Sequence, residues 1–271
     1  MDTILQAKKL IEEADVVVIG AGADLSAAAG LTYSGERFEN NFKEFIEKYN
    51  MTDMYSAGFY PFSTQEEKWA YWSKHIYLNQ YTDNGVQLYR DLLEVVKDKK
   101  YFVITTNVNS QFEKVGFEKD MIFEVQGNYG EFQCSTPCHN KVYNNKEQVF
   151  EMIEKQEDLK IPTELIPKCP RCGENMTMHL RIDNTFVETE QWEIQKDRYY
   201  EFLNENKDKN IVFLELGVGF NTPTIIRFPF ERFNKILPKS NLIRVNKEKS
   251  SSIDIILIEN EMEEVFKIWK N

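Results

Sequence analysis

Two short polar segments could carry chemistry, because each follows an apolar run typical of a buried strand. They are residues 105–109 (TTNVN) and residues 124–127 (EVQG). In an open parallel sheet, ligands bind outside the carboxyl ends of the strands, where both segments would lie. Their amide side chains, Asn107 and Gln126, can hold sugar hydroxyls by hydrogen bonds but cannot take up a proton in water. We predict that the two loops frame the reactive end of a nucleotide cofactor.

A third segment, residues 20–26 (GAGADLS), has the composition of an anion site. It follows the apolar run 16–19 and precedes residues 27–29, which we expect to begin a helix. Free backbone N–H groups and the helix dipole would both favour a phosphate there. A tight turn without a ligand is the alternative. Leu25 stands where the third glycine of the G-x-G-x-x-G fingerprint belongs, which disfavours hydride transfer.

The cysteines occur as two closely spaced pairs: Cys134, Cys138, Cys169 and Cys172. Two such pairs on tight turns are what a tetrahedral four-cysteine zinc site needs. His139 is expected to be a neighbour of the site rather than a ligand, and four unliganded thiols are the alternative. A closed four-cysteine site has no open coordination position, so we assign the zinc to folding and not to catalysis.

The apolar pattern predicts the elements that position these residues. Buried strands are predicted at residues 16–19, 101–104, 121–125, 211–216, 242–246 and 253–257. Helices are predicted at residues 2–13, 88–96, 110–116 and 262–269, and residues 144–160 as a solvated helix or loop. A second glycine loop, residues 217–219, follows the fourth strand. The alternation of strands and helices predicts an α/β fold with a Rossmann-like parallel sheet.

Residues 31–84 differ from the rest because they are rich in aromatic side chains. Helical spacing predicts two or three inserted helices whose aromatics form a small core, with a partner- or substrate-facing wall as the alternative. We predict a Rossmann-like domain of residues 1–31, 85–133 and 176–271. The smaller inserted part combines a helical module, residues 32–84, with a zinc-binding module, residues 134–175.

Composition excludes several classes of function. A formal net charge of -11 over 271 residues disfavours nucleic acid, whose binding depends on Lys and Arg. No apolar run approaches the roughly 18 residues of a spanning helix, and the first residues lack the profile of a signal peptide. We therefore expect a cytoplasmic protein with no membrane partner, in which four cysteines indicate metal binding or reduced thiols.

The chain resembles the sirtuin family in the order of its motifs. Residues 24–30 resemble the first NAD loop, residues 106–109 resemble T-Q-N-I-D, and residues 125–127 resemble V-H-G. After the cysteines, residues 180–181, 217–219 and 243–246 resemble L-R-P, G-T-S and the final asparagine loop. The resemblance implies NAD as co-substrate, structural zinc, and NAD contacts from Gly22, Ala23, Asp24, Ser26, Gly30, Tyr33, Asn107, Asn109, Gln126, Gly217, Val218, Gly219 and Asn246.

The departures from the family pattern are as informative as the matches. Gln126 replaces the histidine that would be the general base, and Asn109 replaces the aspartate that would contact the nicotinamide carboxamide. Leu31-Thr32-Tyr33 replaces I-P-D. Asp24 aligns with a glycine of the G-A-G turn, and its charge would be unfavourable near a pyrophosphate. The alternative alignment puts residues 20–22 on that turn.

These departures resemble the macrodomain-linked, class M sirtuins, which are protein ADP-ribosyltransferases with little deacylase capacity. The resemblance implies Asn107, Gln126 and Arg181 as the catalytic residues. It also implies a lipoylated, glycine-cleavage-H-like carrier protein as acceptor and a macrodomain hydrolase as a further partner. A surface or structural ion pair is the alternative role for Arg181, a strand-end turn for Asn107, and a spectator role for Gln126.

The chemistry agrees with this resemblance. Deacylation on a sirtuin scaffold needs a base that deprotonates a ribose hydroxyl, and histidine suits that role because its pKa lies near 7. Glutamine cannot replace it. Nicotinamide departure needs only orientation and electrostatic stabilisation. The sequence therefore predicts ADP-ribosyl transfer, with a weak lysine deacylase and a catalytically silent NAD or ADP-ribose sensor as alternatives.

Overall fold

The computed structural model describes residues 2–220, 223–246 and 255–271. The strands in chain order are β1 Val16–Ala21, β2 Lys100–Thr105, β3 Ile122–Glu124, β4 Gly127–Cys134, β5 Val142–Asn144, β6 Met176–Leu180, β7 Ile211–Leu216, β8 Ser240–Val245 and β9 Ile255–Ile258. The predicted strand at residues 253–257 thus matches β9 from Ile255 onward, while Ile253 and Asp254 lie outside the described residues.

The helices in chain order are α1 Asp2–Glu13, α2 Ala23–Ala28, α3 Glu36–Asn41, α4 Lys43–Tyr49, α5 Met54–Ala57, α6 Gln65–Ile76, α7 Gln87–Val96, α8 Gln111–Val115, α9 Lys146–Lys155, α10 Glu190–Asn206, α11 Arg227–Ile236 and α12 Met262–Lys270. A π-helical turn, Tyr77–Tyr81, follows α6. None of the helices in these described residues is long and apolar enough to cross a membrane.

The chain forms two compact units, each made of separate segments. The first unit comprises Met1–Gly30, Gly85–Gln126 and Glu190–Asn271. Its six-stranded sheet has the order β3-β2-β1-β7-β8-β9 with every neighbouring pair parallel. That order is the Rossmann arrangement, in which the strand order reverses between the two central strands. The predicted α/β class with a Rossmann-like sheet is confirmed.

The central strands of this sheet are buried because helices cover both faces. All six residues of β1 and of β7 are buried, as are five of the six in β2. Continuous apolar runs of this kind are what a parallel sheet needs when neither face meets water. The switch point therefore lies at the carboxyl ends of β1 and β7, where the two glycine loops begin.

The second unit comprises Leu31–Asn84 and Gly127–Thr189. Its three-stranded antiparallel sheet has the order β5-β4-β6, and α3 to α6 and α9 belong to the same unit. The predicted boundaries differ from this division: residues 127–133 and 176–189 were assigned to the Rossmann-like domain but belong here. The reason is that β4 pairs with β6 at both of its ends, with an irregularity between Asn128 and Phe132, which joins both segments to the cysteine-bearing part.

Six of the fourteen aromatic residues in the segment 31–84 are buried. Phe38, Phe42, Phe45, Trp69 and Tyr71 are each at most 1% exposed. Phe42 is stacked on Phe38 at a centroid separation of 5.4 Å and tilted against Tyr71 at 5.3 Å, while Trp69 packs edge-on against Phe132 at 4.9 Å. The core interpretation of this segment is confirmed for these residues.

Candidate functional site

The two glycine loops of the first unit touch each other at the switch point. Gly22 donates its N–H to the Leu216 carbonyl at 3.0 Å, and Asp24 donates to the Gly217 carbonyl at 3.1 Å. A Cβ on Gly22 would lie 2.5 Å from the Gly217 oxygen, and a Cβ on Gly217 would lie 2.4 Å from the Leu25 nitrogen. Gly217 also has φ +60°, a left-handed conformation. Both glycines are therefore required by close backbone approach.

This contact changes the predicted anion site. Helix α2 begins at Ala23 with Gly22 as its N-cap, so the prediction that residues 27–29 begin the helix is wrong. Gly20 and Ala21 belong to β1, and the N–H of Leu25 bonds the Gly22 carbonyl at 3.2 Å. The N–H groups of Gly22, Asp24 and Leu25 are thus already paired within the protein.

Asn107 ties the loop after β2 to the loop after β1. Its Nδ2 donates to the Gly22 carbonyl at 2.9 Å and to the Tyr89 hydroxyl at 3.2 Å. Its backbone N–H donates to Oγ1 of Thr105 at 3.0 Å, in the manner of a strand-end turn. Both amide protons of this buried side chain are used, so Oδ1 is the atom through which it can bond a ligand, as an acceptor.

Ser26 and Asn109 join the same network. Nδ2 of Asn109 donates to Oγ of Ser26 at 3.1 Å, and Ser26 Oγ lies 2.8 Å from the Tyr89 hydroxyl. All of these side chains are at most 8% exposed, and Tyr89 is fully buried. These four residues, which come from one loop and from the two helices α2 and α7, are therefore joined by hydrogen bonds.

Sequence reasoning missed Tyr89. It lies in α7 between Leu88 and Leu92, so the residue pattern marks it only as part of an apolar helix face. A tyrosine on such a face needs a partner for its hydroxyl, and that need was the available signal.

Gln126 lies at the end of the first unit's segment, just beyond β3. The pairing of β2 with β3 sets Thr105 opposite Glu124, and Val125 donates its N–H to the Thr105 carbonyl at 3.0 Å. Asn107 thus lies two residues after Thr105, and Gln126 lies two residues after Glu124, the partner of Thr105 in the neighbouring strand. The Gln126 side chain is half-buried and makes no hydrogen bond to any residue that the structure describes. It is an amide at a strand end, as predicted.

The second glycine loop and the predicted asparagine loop also meet. Nδ2 of Asn246 donates to the Val218 carbonyl at 3.0 Å, and the side chain is 2% exposed. A Cβ added to Gly219 would meet none of the described residues within 4 Å, in contrast to Gly217. Gly30, which ends the first loop, has φ +84°, and an added Cβ there also meets no described atom within 4 Å. The close backbone contact is thus a property of Gly217 and not of Gly219.

A buried ionic cluster lies beneath these loops and was not found from the sequence. Glu215 in β7 is fully buried and binds Arg244 in β8 through both carboxylate oxygens, at 2.7 and 2.8 Å. Arg244 also contacts Glu231 at 2.8 Å, and Arg227 lies 3.3 Å from Glu215. Burial lowers the pKa of Arg244, but the hydrogen bonds and charges of the two carboxylates outweigh it and raise that pKa. The pairing holds β7, β8 and α11 together just before the loops.

Arg181 and Tyr33, the other two residues implied by the resemblance, belong to the second unit. Nη2 of Arg181 contacts Oε1 of Glu188 at 2.7 Å, and its guanidinium carbon lies 4.2 Å from the centroid of the Phe186 ring. A planar guanidinium of this kind can fork onto a carboxylate. The Tyr33 hydroxyl lies 2.6 Å from the Tyr129 hydroxyl.

The four cysteines come together in the second unit as predicted. Their Sγ atoms all lie within 4.8 Å of one another, with Cys134 to Cys172 and Cys138 to Cys169 each at 3.6 Å. A tetrahedron with Zn–S bonds of about 2.3 Å has S···S edges of about 3.8 Å. His139 lies outside this group, with Nδ1 at 3.0 Å from Sγ of Cys138. The cluster fits a structural zinc site.

A comparison with models of known protein families shows to which family the chain belongs. The model of the Sir2 family matches residues 20–187, which is more than half of the chain. The chain belongs to the Sir2 family. As a sirtuin, it has the fold that the motif order and the Rossmann-like sheet both predict.

Two curated relatives carry names that bear on activity. A protein ADP-ribosyltransferase of Staphylococcus aureus is 39% identical over 240 residues, covering 88% of this chain and 76% of that protein. A probable bifunctional ADP-ribose hydrolase/ADP-ribosyltransferase of Fusarium oxysporum is 33% identical over 239 residues, covering 83% of this chain and 39% of that longer protein. Together with the family membership, these relatives support the predicted enzyme class.

Solved structures confirm the fold at low sequence identity. A complex of a Sir2 homologue with NAD superposes with a TM-score of 0.63 at 16% identity, covering 98% of this chain and 92% of that one. A sirtuin bound to a propionylated peptide gives 0.62 at 16% identity, covering 98% and 96%.

Proposed function

We propose that this sirtuin is an NAD-dependent protein mono-ADP-ribosyltransferase. The observation that carries the proposal is that Asn107 and Gln126, the side chains proposed to meet the reacting ribose, are both amides at neighbouring strand ends. Neither can take a proton in water, so the scaffold offers orientation at these positions instead of general-base catalysis.

The reaction that suits such residues is direct transfer. The bond between C1′ of the ribose and the nicotinamide nitrogen of NAD breaks, and nicotinamide leaves with the bonding electrons. An acceptor oxygen that is already ionised, such as a carboxylate, then forms the new bond to C1′. No proton has to be removed in this sequence, whereas deacylation requires one to leave a ribose hydroxyl.

Within this proposal the first unit holds the cofactor. Oδ1 of Asn107 accepts a hydrogen bond from a ribose hydroxyl, because its Nδ2 is committed to Gly22 and Tyr89. Gln126 bonds the ribose hydroxyls with a side chain that has no partner among the described residues. The remaining proposed NAD contacts in this unit are Gly22, Ala23, Asp24, Ser26, Gly30, Asn109, Gly217, Val218, Gly219 and Asn246, and the resemblance adds Tyr33 of the second unit.

Arg181 is proposed to bind the acceptor. Its guanidinium is stacked on Phe186 and contacts Glu188 through Nη2, and an acceptor carboxylate would replace Glu188 and be bound by the guanidinium fork. Asp24 is exposed, so its charge can be solvated and its opposition to a pyrophosphate is reduced.

The acceptor is proposed to be a lipoylated carrier protein of the glycine-cleavage-H type, on the strength of the subfamily resemblance. A macrodomain hydrolase is proposed as the partner that removes the modification. The name of the Fusarium relative, which combines hydrolase and transferase activities, supports the proposal of a hydrolase partner.

Radiolabelled NAD tests the proposal. We expect covalent label on the lipoylated carrier and release of nicotinamide, with less label on the same carrier lacking lipoate. Gln126→Ala and Arg181→Lys should each reduce labelling at least tenfold, while exposed Lys9→Ala, distant in the first unit, should not change it. Nicotinamide release that depends on an acyl-lysine peptide, without labelled protein, would favour a deacylase. Thermal stabilisation by NAD without nicotinamide release would favour a sensor.

A further inference from the structure

A histidine of the second unit lies against one cysteine of the cluster. Nδ1 of His139 lies 3.0 Å from Sγ of Cys138, and Nε2 of the same ring lies 2.8 Å from the Tyr143 hydroxyl. The rings of His139 and Tyr143 also meet edge-on, with their centroids 5.8 Å apart. Both nitrogens of this imidazole are therefore engaged, one by a sulfur and the other by a hydroxyl.

The residues on either side of this imidazole are held by the rest of the second unit. Tyr143 lies in β5, where it pairs with Phe132 of β4, and β4 ends at Cys134 of the cluster. The Cys138 turn is held from the other cysteine pair, because Nη1 of Arg171 donates to the Cys138 carbonyl at 2.8 Å. The imidazole thus joins a strand of the three-stranded sheet to one sulfur of the cluster.

The direction of the contact with Cys138 follows from the chemistry of a metal ligand. A cysteine that binds zinc is a thiolate, which has no proton to give and can only accept. Nδ1 of His139 must then carry a proton and donate it to the sulfur. In a neutral imidazole with that tautomer Nε2 is an acceptor, so the Tyr143 hydroxyl donates to it.

A hydrogen bond to the sulfur offsets part of the charge of such a site. Four thiolates around one Zn²⁺ leave an excess of negative charge, and an N–H that points at a sulfur stabilises it. The ring nitrogens of His75 and His179 are engaged by tyrosines, a carboxylate and a carbonyl elsewhere in the unit. Among the described residues, Cys138 is therefore the cysteine that an imidazole contacts.

We propose that His139 is a positioning residue of the zinc site, which donates a hydrogen bond to the Cys138 thiolate and is itself oriented by Tyr143. Its effect is to tighten the binding of zinc and to slow its loss. All three residues are half-buried, which suits this role because a hydrogen bond is stronger where water does not fully surround it. This role is independent of the proposed transferase activity.

The zinc affinity of the whole protein tests this role. His139→Phe keeps a ring at the position but removes the N–H, and loss of an outer partner of a metal ligand typically costs about 10- to 100-fold in metal affinity. We expect a loss in that range in competition with a chromophoric chelator, together with faster transfer of zinc to it. His139→Gln, whose amide can donate to the sulfur, should recover part of the loss. Asn140→Ala is the matched control, because Asn140 is exposed and adjacent in the chain, and its affinity should stay within about twofold.

A double-mutant cycle tests the part played by Tyr143. Tyr143→Phe alone should weaken zinc binding about three- to tenfold, because the imidazole keeps its N–H but loses the bond that orients it. In the His139→Phe background the same change should have no further effect, since Tyr143 acts through the histidine. Equal effects in both backgrounds would overturn this coupling, because Tyr143 would then contribute to the fold alone.

The position of the ring proton gives a readout that does not depend on affinity. Nitrogen-15 labelling of the three histidines, with His139 assigned from the His139→Phe spectrum, should show a proton on Nδ1 of His139 in the zinc-loaded protein. A ring without a proton on Nδ1 would overturn the proposal, as would an unchanged zinc affinity in His139→Phe. A protein that binds no zinc would overturn it together with the structural zinc site.

Discussion

Polar groups obtain their bonding partners in different ways in the loops of the first unit and in the cysteine cluster of the second. Asn107, Asn109 and Ser26 find their partners within the protein, through Tyr89 and the Gly22 carbonyl. The four cysteine sulfurs face one another and fit a metal that would supply their bonding. The amide network is therefore held by protein groups alone, whereas the cysteine cluster fits a site that a metal ion would organise.

Zinc removal should give the largest loss of stability, and that loss should be greater in the second unit than in the first. Structural zinc sites contribute apparent binding free energies of about 10–16 kcal/mol to folding. We expect about one zinc ion per chain by elemental analysis, and a strong chelator or Cys134→Ser should greatly lower the thermal midpoint. Hydrogen exchange should rise in residues 127–189 more than in β1 and β7. A metal-free protein with unchanged exchange there would contradict a structural role.

A single methyl group should disrupt the contact between the two glycine loops. Gly217→Ala should lower the free energy of unfolding by about 3 kcal/mol, because its Cβ meets backbone atoms and its φ is positive. Gly219→Ala is the matched control two residues away, where an added Cβ meets none of the described residues, and should cost less than about 0.5 kcal/mol. Denaturant unfolding measures both. Equal costs at the two positions would show that the loops do not pack as described.

Gln126→His tests whether the lack of a general base is what prevents deacylation. Supplying an imidazole at this strand end should create measurable NAD-dependent deacylation of an acyl-lysine peptide, because the missing base is restored. That activity should rise with pH through the range in which histidine loses its proton, near about 6.5. Gln126→Asn, which adds no base, should gain none. Deacylation by the unaltered protein at the same rate would show that a base is already present elsewhere.

The smallest expected effect concerns Tyr89. Tyr89→Phe removes only the hydroxyl that Asn107 and Ser26 share, which should cost about 1–2 kcal/mol of stability. Since Asn107 keeps its bond to Gly22 but loses its second anchor, the Michaelis constant for NAD should rise while nicotinamide release at saturation changes little. Tyr101→Phe, whose hydroxyl accepts from the Glu118 N–H elsewhere in the first unit, is the control.

Much of the fold was accessible from residue type and spacing. Largely apolar runs marked β1, β2, β7 and β8, because strands buried on both faces are mainly apolar, with Glu215 and Arg244 buried only as an ion pair. Helix α10 was missed, since its buried side chains are sparse in a charged segment: Trp192, Tyr199, Phe202, Leu203 and Asn206. The strands β4 and β6 were missed as well, and with them the boundary of the second unit.

The sequence by itself determined the family, the cysteine quartet and the amides at two strand ends, because these depend on residue identity and short spacing. The tertiary structure decided which partner each polar group has. Tyr89 meets Ser26 across 63 residues, and Tyr33 meets Tyr129 across 96. Such pairings depend on how segments that are distant in the sequence pack against each other. The direction of each hydrogen bond depends on the other bonds that the same groups make. A local residue pattern contains neither.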